Sequence, residues 1–402
     1  VTVTQPDVSV IIGAYEAMPY LVKCLQSVED QTLGPDRIEV IAVDDGSMDG
    51  TGEHLEEFAE RAALAVTVIR QANSGGPSGP RNVGLDKARG RYVFFLDADD
   101  HLGPEALERM VAMADAQGTD VVLGKVIGVN RSAPKSMWGK TLPRTDVFSS
   151  QIKFTLSAQK LFRRELLTRH GMHFDESLKT GEDALFTMEA YLRADGVSVV
   201  ADYDCYYLVG REDGKHVTKS GSYRLRFDSA RALMGLIAEH VPAGKRRDGL
   251  MVRPFLVTLL PQFGPVFLRD DEEVRRDKLA LAKPLIDAYW TEGVADRLKV
   301  NERLRVNLAG LGRADLLVDL LEFLRKKKAP ALHVDPRSRK AYLGYPHFRD
   351  KEAPIPDGWF VPTSRETVTI DSFKFAPAAH FPGMRTARRV ARRVLGPRHT
   401  EE

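Results

Sequence analysis

Residues 8–45 read VSVIIGAYEAMPYLVKCLQSVEDQTLGPDRIEVIAVDD, and this stretch decides the fold. A short apolar run, VSVII (8–12), precedes the amphipathic YLVKCLQSV, and a second run, IEVIAVDD (38–45), stops on two acids. Apolar runs without alternation mark strands buried on both faces, as in parallel sheets covered by helices. The rhythm continues outward with a helix near HLEEFAERAA, a strand AVTVIR (65–70), a helix RNVGLDKA and a strand YVFFLDADD. PEALERMVAMADAQ follows as a helix with Pro104 at its first position. This order predicts an α/β fold with a parallel sheet. Ligands of such sheets bind beyond the carboxyl ends of the strands, where Asp44, Asp45, Asp97, Asp99 and Asp100 all stand.

The 402 residues carry 58 Lys plus Arg against 56 Asp plus Glu, with 43% hydrophobic and 28% charged residues. That composition excludes disordered, collagen-like and membrane-bundle classes. A formal net charge of +2 predicts no global attraction to nucleic acid. The two cysteines, Cys24 and Cys205, are far apart, which leaves neither a disulfide framework nor a cysteine zinc site. With no basic-then-apolar leader and no run of about 18 apolar residues, a cytoplasmic location is expected. Residues 126–220 read as mixed segments able to complete the first sheet, so a first domain is expected over 1–223. From 224 to 329 the pattern turns helical, as in RLRFDSARALMGLIAEHV, EEVRRDKLALAKPLIDAYW and ADLLVDLLEFLRKKK. A C-terminal extension, 330–402, is rich in Pro, Gly and aromatics and contains the alternating TVTIDSFKF and a basic tail.

Several constellations carry chemistry. Asp97-Ala98-Asp99 sets two carboxylates one residue apart at a strand terminus, able to share a divalent ion and a ribose, and oxygen ligands suit Mg²⁺ or Mn²⁺. The same acids are also explained by capping of the helix at Pro104. Asp44 and Asp45 can accept from a uracil imide or ribose, or serve only the turn DDGS. NSGGPSGPRN (73–82) is a glycine and proline loop with Asn73 at one end and Arg81 near the following helix start. It suits a diphosphate, although it lacks the GK[ST] ending of a Walker loop, and a rigid connector is the alternative. Glu182 and Asp183 open the helix EDALFTMEAYLRADG; its dipole either simply stabilises acids there or holds Asp183 ionised as a general base. Arg211 and His216, in VGREDGKHVTKS, either close over a leaving diphosphate or are solvated loop cations. Arg385, Arg388, Arg389, Arg392 and Arg393 recur at helical spacing opposite an apolar stripe, which suits an anionic membrane surface, docking on the body or self-assembly.

Taken in order, VSVIIGAYEAMPYL, VIAVDDGSMDGT, ARGRYVFFLDADD and the later ED pair resemble the inverting family 2 glycosyltransferases of GT-A fold, over residues 8–220. NSGGPSGPRNVGL, KVIGVN, KSMW, FTLSAQKLFRRELL and GEDALFTMEAYL are similar to the wall teichoic acid poly(ribitol phosphate) β-N-acetylglucosaminyltransferases. The resemblance implies a UDP-sugar donor, N-acetylglucosamine first among candidates, and a polyol-phosphate polymer as acceptor. It implies that Tyr15 stacks near uracil, that Asp44 or Asp45 contacts the nucleoside, and that Ala14, Asn73 and Arg81 help bind the donor. Asp97, Ala98 and Asp99 match the DxD motif, with Asp99 the better metal ligand. Asp183 matches the catalytic base, Glu182 sits beside the sugar, Arg211 and His216 match a diphosphate-binding loop, and Arg131 is a sugar or acceptor contact. The chain departs from the family where PxYN is replaced by Gly13-Ala14-Tyr15-Glu16 and where REDGKH is one residue longer. Larger members carry C-terminal β-sandwich modules used in trimer formation, and a full sandwich is not expected here after TVTIDSFKF. Competing readings are a capsular, exopolysaccharide or lipid-linked acceptor with peripheral membrane contact, a nucleotidyltransferase, and a non-catalytic polymer-binding subunit. GAYEAMPYL lacks the Gly-rich loop of the nucleotidyltransferases, and intact DxD and ED pairs oppose the last reading.

Overall fold

Val8, Val10, Ile11 and Ile12 are wholly buried, because the strand they form, β1 (Val8–Ala14), lies in the interior of a sheet covered on both faces. The computed structural model describes residues 5–133, 135, 137–211, 222–363 and 365–366. The TVTIDSFKF segment and the basic tail therefore lie outside the described residues. Two compact units divide the chain, Val1–Leu225 and Arg226–Glu402.

In the first unit, β1 is followed by α1 (Tyr20–Glu29), β2 (Ile38–Asp44), α2 (Thr51–Arg61), β3 (Ala65–Arg70), α3 (Ser78–Lys87) and β4 (Tyr92–Asp97). Next come β5 (His101–Leu102), α4 (Ala106–Gln117), β6 (Val121–Val129), β7 (Leu142–Thr145), β8 (Leu161–Arg163), α5 (Arg164–Arg169), α6 (Glu182–Arg193) and β9 (Val197–Val209). Among the described residues these strands form one nine-stranded sheet in the order β3-β2-β1-β4-β8-β6-β9-β5, with β7 on β9. The sheet is parallel from β3 to β4, as the apolar runs predict, and then turns mixed, since β8 is antiparallel to both β4 and β6. Two expectations need correction. AVTVIR is a half-exposed edge strand rather than a doubly covered one. Helix α4 begins at Ala106, not Pro104, because the Pro104 carbonyl accepts from Thr32 N at 3.0 Å and Pro104 itself belongs to the preceding turn.

Register positions the site. Gly13 pairs with Asp97 and Ala14 with Asp44, so three strands deliver their terminal residues to one edge of the sheet. One face packs Leu21, Cys24, Leu25 and Val28 of α1, Leu55 and Phe58 of α2, and Leu107 and Met110 of α4 against Val8, Val10 and Ile12. On the other face Phe95, Phe162, Phe174 and Phe186 form an aromatic cluster, with Phe186 stacked on Phe174 at 4.1 Å and edge-on to Phe95 at 5.7 Å. Phe186 belongs to α6, so this cluster seats that helix beside the carboxyl end of β4.

In the second unit, helices Tyr223–His240 (α7), Lys245–Arg253 (α8), Glu272–Tyr289 (α9), Glu292–Ala295 (α10), Val300–Gly310 (α11) and Ala314–Arg325 (α12) precede an antiparallel hairpin, β10 (Ala331–Val334) and β11 (Ala341–Gly344). Asp271 caps α9 by accepting from Val274 N at 2.8 Å. No helix among the described residues is long and apolar enough to cross a membrane.

Helix α3 approaches β1 through Gly84, where an added Cβ would lie 2.4 Å from Ile11 Cγ2. Alanine normally stabilises a helix interior over glycine by about 1 kcal/mol. Here Gly84→Ala is expected to destabilise the fold instead, by about 1–3 kcal/mol from overpacking, seen as a lower urea midpoint with an unchanged slope.

Candidate active site

The acids of β4 and α6 meet through one guanidinium. Arg81, in the first turns of α3 and only 8% exposed, donates from Nη2 to Asp97 Oδ1 at 2.8 Å and from Nη1 to Glu182 Oε1 at 3.3 Å. Its plane also lies over the Phe174 ring, 5.3 Å from the centroid. Arg81 is thus placed by the glycine and proline loop expected to approach a ligand, and it points at protein carboxylates. Asp97 is held further by Gln159, whose Nε2 donates to Oδ2.

Glu182 and Asp183 begin α6 after Gly181, whose φ of 82° is a left-handed conformation that glycine adopts without strain. Glu182 is buried, and burial followed by the adjacent Asp183 pushes its carboxyl well above the usual range, against Arg81. Asp183 is half-buried, its Oδ1 accepting from Ala184 N at 2.7 Å. Asp183 and Asp97 both act electrostatically on Arg81, so the ED pair and the strand-end acids share one site.

Past Asp97 the acids diverge. Asp100 is buried and accepts from Tyr206 Oη at 2.6 Å and Val209 N at 2.7 Å, locking the strand end to β9. Burial, then Asp97, raises Asp99 to about 6, with Arg211 and Arg131 opposing. Arg131 is exposed just after β6. Arg211 ends the described part of β9's loop, donating from Nη2 to Glu16 O at 2.9 Å and lying 5.2 Å over the Tyr20 ring. His216 lies outside the described residues.

At β2, both acids are deeply buried and occupied. Asp44 Oδ1 accepts from Ser47 N at 3.1 Å, and its Oδ2 faces Arg70 Nε at 3.5 Å. Asp45 accepts from Gln71 Nε2 at 2.6 Å and from Ser74 N and Oγ at 3.1 and 2.9 Å, pinning the loop that begins at Gln71. Asn73, exposed, turns that loop by accepting from Gly75 N at 2.8 Å. Ala14 is buried and its carbonyl accepts from Asp45 N at 2.8 Å, while Tyr15 projects with 53% exposure. Ala98 is buried between the two acids of its motif.

Sequence reading missed Gln159 and the role of Tyr206. Nothing in the spacing of SAQK marks Gln159, because its partner is 62 residues away. Among the described residues no group of three or more His, Cys, Asp or Glu side chains is arranged to hold a metal ion.

Residues 9–174 match the family model described as Glycosyl transferase family 2, and residues 224–321 match that of the Glycosyl transferase TarS linker domain. The poly(ribitol-phosphate) beta-glucosyltransferase of Bacillus spizizenii is 42% identical over 212 residues, covering 52% of this chain and 33% of that protein. The match thus spans about a third of the length of that relative. The poly(ribitol-phosphate) beta-N-acetylglucosaminyltransferase TarP of Staphylococcus aureus is 33% identical over 219 residues, covering 54% of this chain and 67% of that one. The crystal structure of S. aureus TarS 1–349 in complex with UDP-GlcNAc superposes with a TM-score of 0.76 at 30% identity, covering 87% of this chain and 98% of that one.

Removing one partner of a buried ion pair leaves an uncompensated charge and costs about 3–5 kcal/mol. Arg81→Gln is expected to lose stability toward the low end of that range, since Asp97 retains some solvent. Arg81→Lys, which cannot reach two carboxylates with a planar fork, is expected to fall between wild type and Arg81→Gln in urea unfolding.

Proposed function

The chain belongs to the family 2 glycosyltransferases, and from that membership we propose that it transfers a hexose from a UDP-sugar, with inversion, to a hydroxyl of a polyol-phosphate polymer. One observation carries the proposal: Arg81 joins Asp97 of the strand end to Glu182 of the ED pair, so donor-side and acceptor-side acids face one site. Relatives named for transfer to poly(ribitol phosphate) support the acceptor class. They name two sugars, glucose and N-acetylglucosamine, and the UDP-GlcNAc complex of TarS favours the second.

Asp183 is the proposed general base. It stands on the first turn of α6, where the helix dipole favours a carboxylate, beside Glu182, whose own carboxyl is raised by burial. The acceptor hydroxyl loses its proton to Asp183 as its oxygen attacks the anomeric carbon from the face opposite UDP. Glu182, anchored by Arg81, is proposed to contact the sugar. Tyr15, 53% exposed, offers a ring for uracil, and the preceding Ala14 is buried. Asp44, Asp45 and Asn73, whose acceptor positions are partly filled, shape the two loops that wall the nucleoside. Arg131 and Arg211, which bear on Asp99, are proposed, with His216, to meet diphosphate charge.

Divalent ions are common among family 2 enzymes of this fold. Mg²⁺ and Mn²⁺ typically take one or two protein carboxylates and leave remaining positions to phosphate and water. Asp99 fits that demand: a desolvated carboxylate to which no other described side chain donates. Asp97 is already held by Arg81 and Gln159, so its proposed part is to organise the site and to contribute at most a shared oxygen. When bound, the ion neutralises charge that develops on the departing diphosphate.

Asp183→Asn is expected to lower turnover by about 10²–10⁴ while leaving UDP affinity within a few-fold of wild type. Asp99→Ala is expected to abolish the Mn²⁺ dependence of UDP binding in calorimetric titration and to lower turnover. The reading itself is tested by incubating the protein with UDP-GlcNAc or UDP-glucose and poly(ribitol phosphate), following UDP release and assigning the new linkage by NMR. A β linkage is expected, and no transfer to the polymer from either donor would reject the acceptor assignment.

A further inference from the structure

Lys160 is a buried cation that the chemistry above does not use. It lies just before β8, with 1% of its surface exposed, and forms no ion pair among the described residues. Its Nζ donates to the Ser157 carbonyl and lies 3.4 Å from Ser157 Oγ. The same carbonyl accepts from Thr187 Oγ1 at 3.2 Å. Thr187 stands four residues after Asp183 on α6, a spacing that stacks the two on one helix face. One carbonyl therefore holds both the Lys160 ammonium and the side chain beneath Asp183. Burying a lone ammonium is costly unless something compensates it. Burial pulls Lys160 down to about 7, and Asp183 is the carboxylate that pushes it back up.

We propose that Lys160 is a positioning residue for Asp183: a buried positive charge, fixed through Ser157 to the same face of α6, that keeps the base carboxylate ionised and aimed. The inference rests on Asp183 being the base. The charged groups that interact electrostatically with Asp183 include Glu182 on its own helix, Arg81 on α3, which Asp97 of β4 also holds, and Lys160 in the segment before β8. Arg81 divides its hydrogen bonds between Asp97 and Glu182, and Asp183 is the carboxylate that acts on Lys160. The neighbouring Gln159 grips Asp97, so two consecutive side chains brace the two acidic elements.

The test is the pH dependence of kcat/KM for sugar transfer in the full chain. Lys160→Met fills a similar volume without charge and removes the cost of burying the ammonium. Losing a nearby positive charge raises the pH at which Asp183 protonates, so the acid limb should move upward by roughly one pH unit. At pH values below that limb, kcat/KM should fall about tenfold relative to wild type, with UDP affinity retained. Thr187→Val removes the other donor to the Ser157 carbonyl but keeps the ammonium, and its acid limb should stay in place. Lys160→Gln, which keeps a donor for Ser157, carries the same expectation as Lys160→Met and replaces it if the methionine variant does not fold. An acid limb that stays at its wild-type pH in a folded, UDP-binding Lys160 variant overturns the proposal. Full activity of Asp183→Asn overturns the underlying assignment of the base instead, so the two failures are told apart.

Discussion

A planar guanidinium with two donors pointing in different directions holds the acidic centre of this molecule together. Carboxylates crowded at the end of β4 and the start of α6 repel one another and lose hydration, which is why Asp99 and Glu182 bind protons more readily than free carboxyls do. Without a buried cation the two elements would be driven apart. Arg81 answers both at once, and its position over Phe174 fixes the plane of the fork. An ammonium in its place would carry the charge without the geometry.

That bridge works only because the surrounding packing brings its ends within reach. The aromatic cluster of Phe95, Phe162, Phe174 and Phe186 ties α6 to β4 and β8. Asp100, bound by Tyr206 and the backbone of β9, anchors the strand end from the other side. Asp45 pins the loop leading to α3 through Gln71 and Ser74. The polar residues thus include some, Asp45 and Asp100 among them, whose acceptors are consumed in shaping loops, and one, Asp99, to which no other described side chain donates.

Much of this was legible in the sequence. Apolar runs ending in acids told of parallel strands and of a site at their carboxyl ends, and β1, β2 and β4 formed as read. Local pattern could not reveal what depends on distant partners. LFR at β8 is too short to show a period, so its antiparallel insertion, which turns the sheet mixed, carried no signal. AVTVIR reads like its neighbours, but strand order left it at an edge. Arg81 was found as a candidate from its loop, but only folding showed that it faces carboxylates. The strands ALHV and AYLG in the second unit were hidden in a stretch whose prolines and glycines pointed to loops.

The residue-for-residue pairing of β1 with β2 and β4 sets Ala14 beside Asp44 and Gly13 beside Asp97. Side chains alternate between faces with a period of two, so a single inserted or deleted residue in β2 or β4 would carry its terminal acid to the opposite side. The strands act as a ruler of fixed length, and variation in chain length is confined to the connections. A relative that gains or loses residues can therefore reshape what it recognises, at the loops after β2 and β9, while the spacing of its acids stays constant.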